Sequence, residues 1–249
     1  VLSGSAHGLT VSLSWTTPAN GGSPITGYQV LRGTSASSLS PLATTAGTTY
    51  DDTTGTAGQT YYYAVTATNE VGAGAASNTV SATPVTTPGT PTATATAGVG
   101  SVSLAWSTPS DGGSPVTGYV VERGTTSGLR SAVATLPAGT TSYTDSAVTA
   151  GTTYFYAVRA TNAVGTGSAS AEVSATPYTT AGAPALQALA GKGQVALSWT
   201  VPSDGGRPIQ GYRIYRGTSS GGEVLVQTIS TGTSYIDGGL TRGTKYWYR

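Results

Sequence analysis

The sequence predicts an all-β chain built from three copies of a small antiparallel sandwich. The first observation is a tryptophan-centred passage that occurs three times, about 90 residues apart. The second is the alternation of apolar and polar residues in short runs, as at Val11 and Leu13, which turns one face of each strand towards a core. The third is the turn sequences between these runs, such as Asn20-Gly21-Gly22. Short strands with frequent turns favour two packed sheets in each copy.

The composition excludes several classes of function. Only 8% of the residues are charged and the net charge is +1, so no basic stripe can bind nucleic acid. The chain has no cysteine, which excludes disulfides, thiolate nucleophiles and Cys-ligated zinc, and no cofactor is expected. No apolar run approaches the roughly 18 residues that a membrane span needs. The 15 tyrosines and four tryptophans recur at fixed positions, which indicates a folded chain and not a disordered one.

The elements of each copy follow one order. After the tryptophan strand comes a turn with Asn or Asp before two glycines, whose side chain can accept a hydrogen bond from its own backbone. A strand that begins near Tyr28 ends in Arg32-Gly33-Thr34. A later strand begins at Gly58-x-x-Tyr61, and Asn69 follows that tyrosine by eight residues.

These linked positions resemble fibronectin type III domains of the Gly/Thr-rich bacterial secreted or surface-protein kind. The resemblance covers the whole chain and implies immunoglobulin-like sandwiches whose cores hold a strand B tryptophan, a strand C tyrosine and a tyrosine corner before strand F. The residues at these three structural core positions in the successive copies are Trp15, Trp106 and Trp199, then Tyr28, Tyr119 and Tyr212, then Tyr61, Tyr154 and Tyr246.

The repeat predicts three modules, at residues 1–84, 85–177 and 178–249. The third is expected to lack the end of strand F and strand G, which leaves an open core and an unpaired sheet edge. In the first module Gly55 stands where the others have Val148 and Leu240. That core is therefore expected to lose a side chain, at a cost of about 2–5 kcal/mol if nothing refills the gap. The prolines between modules favour extended, semi-rigid linkers.

The residues that could carry chemistry are better explained by structure, so we expect no enzyme activity, catalytic residue or metal site. His7 is the only histidine, and Asp51 and Asp52 are the only adjacent carboxylates. Neighbours on a strand point to opposite faces, which argues against a glycosidase pair or a calcium site. Asp52 corresponds to Asp145 and Asp237, a pattern that favours a recurrent turn or cap.

Two further motifs have a structural interpretation. The glycine-rich stretch Gly72-Ala73-Gly74 opens no helix and carries no Lys-Ser/Thr pair, which argues against a phosphate-binding loop. The recurring Arg-Gly-Thr sequence lacks the carboxylate that integrin-type adhesion through Arg-Gly-Asp needs, so a strand-end arginine beside a glycine turn is the simpler explanation.

The residue after each corner tyrosine is a candidate contact for a ligand or partner. These residues are Tyr62, Phe155 and Trp247. Strand alternation turns them outward on the C–F–G sheet, where aromatic rings can stack on sugars or anchor a protein. The alternative is packing against neighbouring strand residues, which needs no ligand.

The resemblance predicts a non-catalytic spacer or stalk array within a larger extracellular bacterial protein, either secreted or attached to the cell surface. Two alternatives are a subunit of a self-assembling extracellular filament, and carbohydrate- or protein-binding accessory modules of a secreted polysaccharide-degrading enzyme. The possible partners are neighbouring copies of the chain, other extracellular proteins or polysaccharide, with no nucleic acid and no membrane span in this segment.

Overall fold

The first module consists of two antiparallel sheets. The computed structural model describes residues 1–249, and all of its regular elements are β-strands. The strands of the first module are β1 (Leu2–His7), β2 (Thr10–Trp15), β3 (Ile25–Ser35), β4 (Ser38–Thr45), β5 (Thr49–Asp52), β6 (Tyr61–Asn69), β7 (Gly72–Ala76) and β8 (Val80–Ala82). One sheet has the order β1-β2-β5, and the other has the order β4-β3-β6-β7 with β8 also paired to β6. The all-β prediction is confirmed.

The second module repeats this plan. Its strands are β9 (Ala93–Gly98), β10 (Ser101–Trp106), β11 (Gly118–Thr126), β12 (Leu129–Pro137), β13 (Ser142–Asp145), β14 (Tyr154–Thr161) and β15 (Val173–Ala175). They form sheets of order β13-β10-β9 and β12-β11-β14-β15. In β10 the residues Val102, Leu104 and Trp106 are buried and alternate with less buried neighbours, as the period of two predicts.

The third module has the same two sheets with fewer strands. These are β16 (Leu186–Gly191), β17 (Gln194–Trp199), β18 (Tyr212–Gly217), β19 (Val224–Ile229), β20 (Ser234–Gly238) and β21 (Trp247–Tyr248). The sheet orders are β16-β17-β20 and β19-β18-β21. A cleft of about 650 Å³ lies among Leu197, Trp199, Tyr212, Ile214 and other residues of this module.

The cores of the first and third modules differ in size. The buried cluster of the first module comprises Leu2, Val11, Leu13, Trp15, Tyr28, Val30, Tyr61, Tyr63, Val65 and Ala82. In the third module only Leu197, Trp199 and Ile214 form such a cluster, with half-buried neighbours around it. The six sheets belong to about three sandwich modules, so the architecture predicted from the repeat is confirmed.

The chain divides into two compact units. The first comprises Val1–Thr94, Ala105–Ser142 and Phe155–Val173, and the second comprises Ala95–Leu104, Tyr143–Tyr154 and Ser174–Arg249. No helix offers the length and apolar character that a membrane crossing requires.

The void expected at Gly55 is not present. A Cβ placed on Gly55 would lie 2.8 Å from Cγ of Pro84 and 3.5 Å from Cε2 of Tyr61. Pro84, a linker residue, is buried. Its ring lies against Gly55 and leaves no room for a further side chain, so the gap expected in the first core is refilled.

Candidate functional site

A buried Asp–Arg–Tyr cluster joins the two sheets of the first module. Asp52 ends β5 and is fully buried, and its Oδ2 lies 2.7 Å from Nη1 of Arg32 at the end of β3. The hydroxyl of Tyr63 on β6 donates to the same Oδ2 at 2.8 Å. The backbone N–H and the hydroxyl of Thr54 donate to Oδ1 at 2.9 and 2.7 Å. Both carboxylate oxygens therefore have partners from the protein itself.

The electrostatics of the cluster favour the charged carboxylate. Burial by itself would raise the pKa of Asp52, but the hydrogen bonds from Thr54, Arg32 and Tyr63 outweigh it and the pKa lies below its ordinary value. Burial and the bond to Asp52 raise the pKa of Tyr63. Desolvation opposes the charge of Arg32, yet the hydrogen bond and the negative charge of Asp52 raise its pKa. An acid with a lowered pKa and no open position is unsuited to proton transfer.

The third module carries the same cluster. Nη1 of Arg216 donates to both oxygens of Asp237 at 2.9 and 3.0 Å, and the hydroxyl of Tyr248 donates to Oδ2 at 2.8 Å. In the second module the corresponding carboxylate, Asp145, is 1% exposed and accepts the N–H of Ala147 at 3.0 Å. The sequence predicts a turn or cap at these aspartates, and the ion pairs of Asp52 and Asp237 were not predicted. The recurrence of an arginine at the end of strand C was the signal that could have found it.

Each tyrosine corner closes in the same way. The hydroxyl of Tyr61 accepts the backbone N–H of Thr56 at 3.2 Å, five residues upstream. Tyr154 accepts the N–H of Thr149 at 3.0 Å, and Tyr246 accepts that of Thr241 at 3.2 Å. The corner tyrosine at the start of strand F thus holds the preceding loop against that strand.

The tryptophans predicted for the core lie beside the strand C tyrosines. Trp15, Trp106 and Trp199 are 8%, 6% and 8% exposed. The ring centroids of the pairs Trp15–Tyr28, Trp106–Tyr119 and Trp199–Tyr212 are 5.5, 5.5 and 5.3 Å apart at steep angles, a geometry that favours edge-to-face contact. Among the nine predicted core aromatics, Tyr212 and Tyr246 of the third module are half-buried and the others are buried.

The candidate contact residues are half-buried, and each lies opposite a glycine. Tyr62 pairs with Gly33, Phe155 with Gly124 and Trp247 with Gly217. On this side of the strand no side chain lies directly across from these rings, although Tyr62 also pairs with Ser81 of β8 on its other side. Nζ of Lys245 lies 4.6 Å from the ring centroid of Trp247, which leaves less of that ring open.

The glycine of each Arg-Gly-Thr sequence is required by close backbone approach. A Cβ on Gly33 would lie 2.0 Å from the carbonyl oxygen of Ser38, and one on Gly124 would lie 1.8 Å from that of Leu129. On Gly217 the nearest backbone atom, the oxygen of Gly222, would be 2.8 Å away. The arginine serves the buried cluster and the glycine serves the hairpin, which accounts for the motif without adhesion.

The remaining candidate residues lie at the surface. His7 is exposed at the end of β1, with Nε2 3.1 Å from Oγ of Ser5. Asp51 is exposed while Asp52 is buried. Asn20, Asp111 and Asp204 each accept the N–H of the second glycine that follows, at 2.9–3.0 Å. No group of three or more His, Cys, Asp or Glu side chains is placed to hold a metal ion.

The structure thus shows a tandem array of β-sandwich modules. Their recurring polar side chains form ion pairs and hydrogen bonds with one another. The chain belongs to the fibronectin type III family. Residues 5–83 and 86–176 match the Fibronectin type III domain.

Two similar relatives are glucanases of Cellulomonas fimi. The chain is 35% identical over 260 residues to Exoglucanase B, a match that covers 95% of this chain and 22% of that protein. It is 38% identical over 261 residues to Endoglucanase B, covering 95% of this chain and 24% of that protein. The chain therefore spans less than a quarter of the length of these relatives.

Among solved structures, the chain is similar to the crystal structure of chicken CNTN1 FN1–FN3 domains. The TM-score is 0.39 at 18% sequence identity, and the match covers 98% of this chain and 91% of that chain.

Proposed function

We propose that this chain forms non-catalytic accessory modules of an extracellular polysaccharide-degrading enzyme. One observation carries the proposal: 95% of the chain matches two proteins that are both named glucanases, and it spans less than a quarter of either. This match favours accessory modules of such an enzyme over a spacer or stalk in another kind of extracellular protein and over a self-assembling filament. The extracellular location follows from the same proposal.

The disposition of carboxylates supports a non-catalytic role. A glycosidase places two carboxyl groups about 5–10 Å apart on either side of an open sugar site. Asp52 and Asp237 are instead buried or nearly buried and are held by arginine and tyrosine. Their ion pairs and hydrogen bonds join the two sheets of the first and third modules. The modules therefore act in the enzyme through their position and their contacts, and not through catalysis.

Contact with polysaccharide through the outer aromatic residues is a second candidate function. The specific observation in its favour is the strand C glycine opposite each of Tyr62, Phe155 and Trp247, which leaves one side of each ring without a directly facing side chain. Half-buried aromatic rings are suited to stacking on sugar faces because their position on the strand is already fixed.

The principal experiment removes residues 1–249 from the native polypeptide that contains them. Hydrolysis of a soluble β-glucan should stay unchanged, and hydrolysis of insoluble cellulose should fall. A loss of activity on the soluble substrate of more than about tenfold in a folded deletion variant would contradict the non-catalytic role.

The aromatic face is tested by retention of the chain on insoluble cellulose. Combined replacement Tyr62→Ala, Phe155→Ala and Trp247→Ala should abolish retention, whereas Tyr62→Phe alone keeps a ring and should preserve it. Circular dichroism of each variant shows whether the fold is intact. Absence of retention in the unmodified chain would end this second candidate and leave the principal proposal standing.

A further inference from the structure

The linker before the second module lies in a groove of that module. The N–H of Thr86 donates to the carbonyl of Gly112 at 2.8 Å, and the N–H of Gly89 donates to the carbonyl of Ser110 at 2.8 Å. On the other side, Nδ2 of Asn162 donates to the carbonyl of Thr86 at 2.7 Å. The linker is therefore held by its backbone, as an added strand is held at a sheet edge. We call this the linker groove; its walls are residues 110–113 and 162–167.

Glycines make the close approach possible. A Cβ on Gly112 would lie 2.5 Å from the carbonyl oxygen of Thr86, and one on Gly167 would lie 2.3 Å from that of Pro88. Gly167 and Asn162 are both buried beneath the linker. Any side chain at these two glycines would displace the linker backbone.

The hydrogen bonds between the linker and residues 110–113 have counterparts in the third module. The N–H of Thr179 donates to the carbonyl of Gly205 at 2.6 Å, and the N–H of Gly182 donates to that of Ser203 at 2.9 Å. A Cβ on Gly205 would lie 2.5 Å from the carbonyl oxygen of Thr179. Two linkers of different sequence thus use the same backbone contacts.

The first module has the same groove without an occupant. Residues that include Ala19, Gly21, Asn69 and Gly72 line a groove of about 440 Å³ at the corresponding place. A Cβ on Gly21 would meet nothing within 4 Å. Val71 is 87% exposed here, while its counterpart, Val164, is 44% exposed beside the seated linker. The groove is formed by the module itself and does not depend on the linker.

The side-chain amide of Asn69 makes hydrogen bonds that correspond to those of Asn162 in the second module. Its Nδ2 donates to the carbonyls of Asn20 and Ser23 at 3.2 and 3.3 Å. Asn162 makes the two corresponding bonds, to Asp111 and Ser114, and adds the bond to the linker carbonyl. The first module holds every part of the site except the peptide.

We propose that the groove of the first module binds an extended Thr-Thr-Pro-Gly segment, the sequence type of the linker at residues 86–89. The occupant enters with its backbone carbonyl against Asn69 and its N–H groups against the carbonyls of Gly21 and Ala19. Since proline fixes an extended conformation beforehand, such a segment loses little entropy on binding. The groove is therefore a docking site for a peptide of the linker type. This inference does not depend on the proposed function.

The test adds the sequence of residues 84–91, Pro-Val-Thr-Thr-Pro-Gly-Thr-Pro, directly before Val1 of the full chain. Hydrogen exchange at the added first threonine and at the added glycine is then measured by NMR. Both amides should exchange at least about tenfold more slowly than in an unstructured peptide, because they donate to backbone carbonyls in the groove. Exchange at the unstructured rate would overturn the proposal.

Two alanine variants make the result specific. Gly74 is the counterpart of Gly167, and in the chain without the addition its Cβ would meet only the carbonyl of Ala67, at 3.5 Å. Gly74→Ala should therefore leave the original chain's unfolding midpoint unchanged and abolish protection in the extended chain. Gly47→Ala, in the same module and in open surroundings, should preserve protection. Protection that survives Gly74→Ala would contradict the assigned groove.

Discussion

Arg32 and Asp52 form an ion pair between the two sheets of the first module, with 2.7 Å between Nη1 and Oδ2. Arg32 lies in the last part of β3 in one sheet, and Asp52 ends β5 in the other. Asp52 is fully buried while the arginine side chain is 23% exposed. The pair therefore acts as a clamp across the sandwich, and its arginine belongs to the Arg-Gly-Thr sequence that recurs in every module.

Replacement of the arginine should destabilise the first module strongly. Arg32→Met leaves the carboxylate of Asp52 buried without its cation, which costs about 3 kcal/mol, at the low end for buried pairs because the arginine is partly exposed. Urea unfolding followed by the indole N–H signal of Trp15 in NMR spectra measures the change. The double variant Arg32→Met with Asp52→Asn removes both charges and should recover part of the loss. Equal instability of the single and double variants would contradict a charge-based clamp.

The stability of the first module should fall in acid. The folded pKa of Asp52 lies below its ordinary value of 3.8, so its contribution to the free energy of unfolding is complete above about pH 4. The contribution is lost as the pH falls through the lower, folded-state pKa. Urea midpoints between about pH 5 and 2 should show this slope, and Asp52→Asn should flatten it. An unchanged slope in that variant would assign the acid sensitivity to other groups.

The tyrosine corner should depend on the hydroxyl of Tyr61. Tyr61→Phe deprives the N–H of Thr56 of its acceptor, at a cost of about 1–3 kcal/mol. Tyr62→Phe is the matched control on the neighbouring residue, where the second module has Phe155, and should change the unfolding free energy by less than about 0.5 kcal/mol. Comparable effects of the two substitutions on the urea midpoint would argue against a specific role for the corner hydroxyl.

The glycine of the Arg-Gly-Thr sequence should not tolerate a side chain. In Gly33→Ala the new Cβ would overlap the carbonyl oxygen of Ser38, so the hairpin must shift, at a cost of about 1–3 kcal/mol or more. Gly47→Ala, whose nearest heavy atom would be 3.8 Å away, serves as the control. Urea titration gives the free energy of unfolding of each variant, and the two values are compared with that of the unmodified chain. A neutral Gly33→Ala would remove the structural explanation of this motif.

The sequence predicted what depends on local pattern. Alternation at Val11 and Leu13 predicted a strand, and the Asx-Gly-Gly spacing predicted the turn at Asn20; the structure has both. The ion pair of Arg32 with Asp52 was missed because it joins two strands that are neighbours only once both sheets have formed. The packing of Pro84 against Gly55 was missed for a similar reason, since the linker folds back on the module that it leaves.

The candidate site was predictable only in part. Alternation predicted that Tyr62 turns away from the core, and it is half-buried between two buried tyrosines. The glycine opposite each outer aromatic residue follows from strand register, which the sequence did not supply. The linker groove depends on contacts between a linker and two loops, and no single segment carries that pattern.

The most direct measurement is an activity gel of the native polypeptide captured from culture medium with an antibody against residues 1–249, run beside the recombinant chain. We expect the captured polypeptide to be several times larger than 24.7 kDa and to clear β-glucan in the gel, and the recombinant chain to clear none. A captured polypeptide without such activity, or one found only in fibres of about this unit mass, would contradict the proposal that these modules serve a polysaccharide-degrading enzyme.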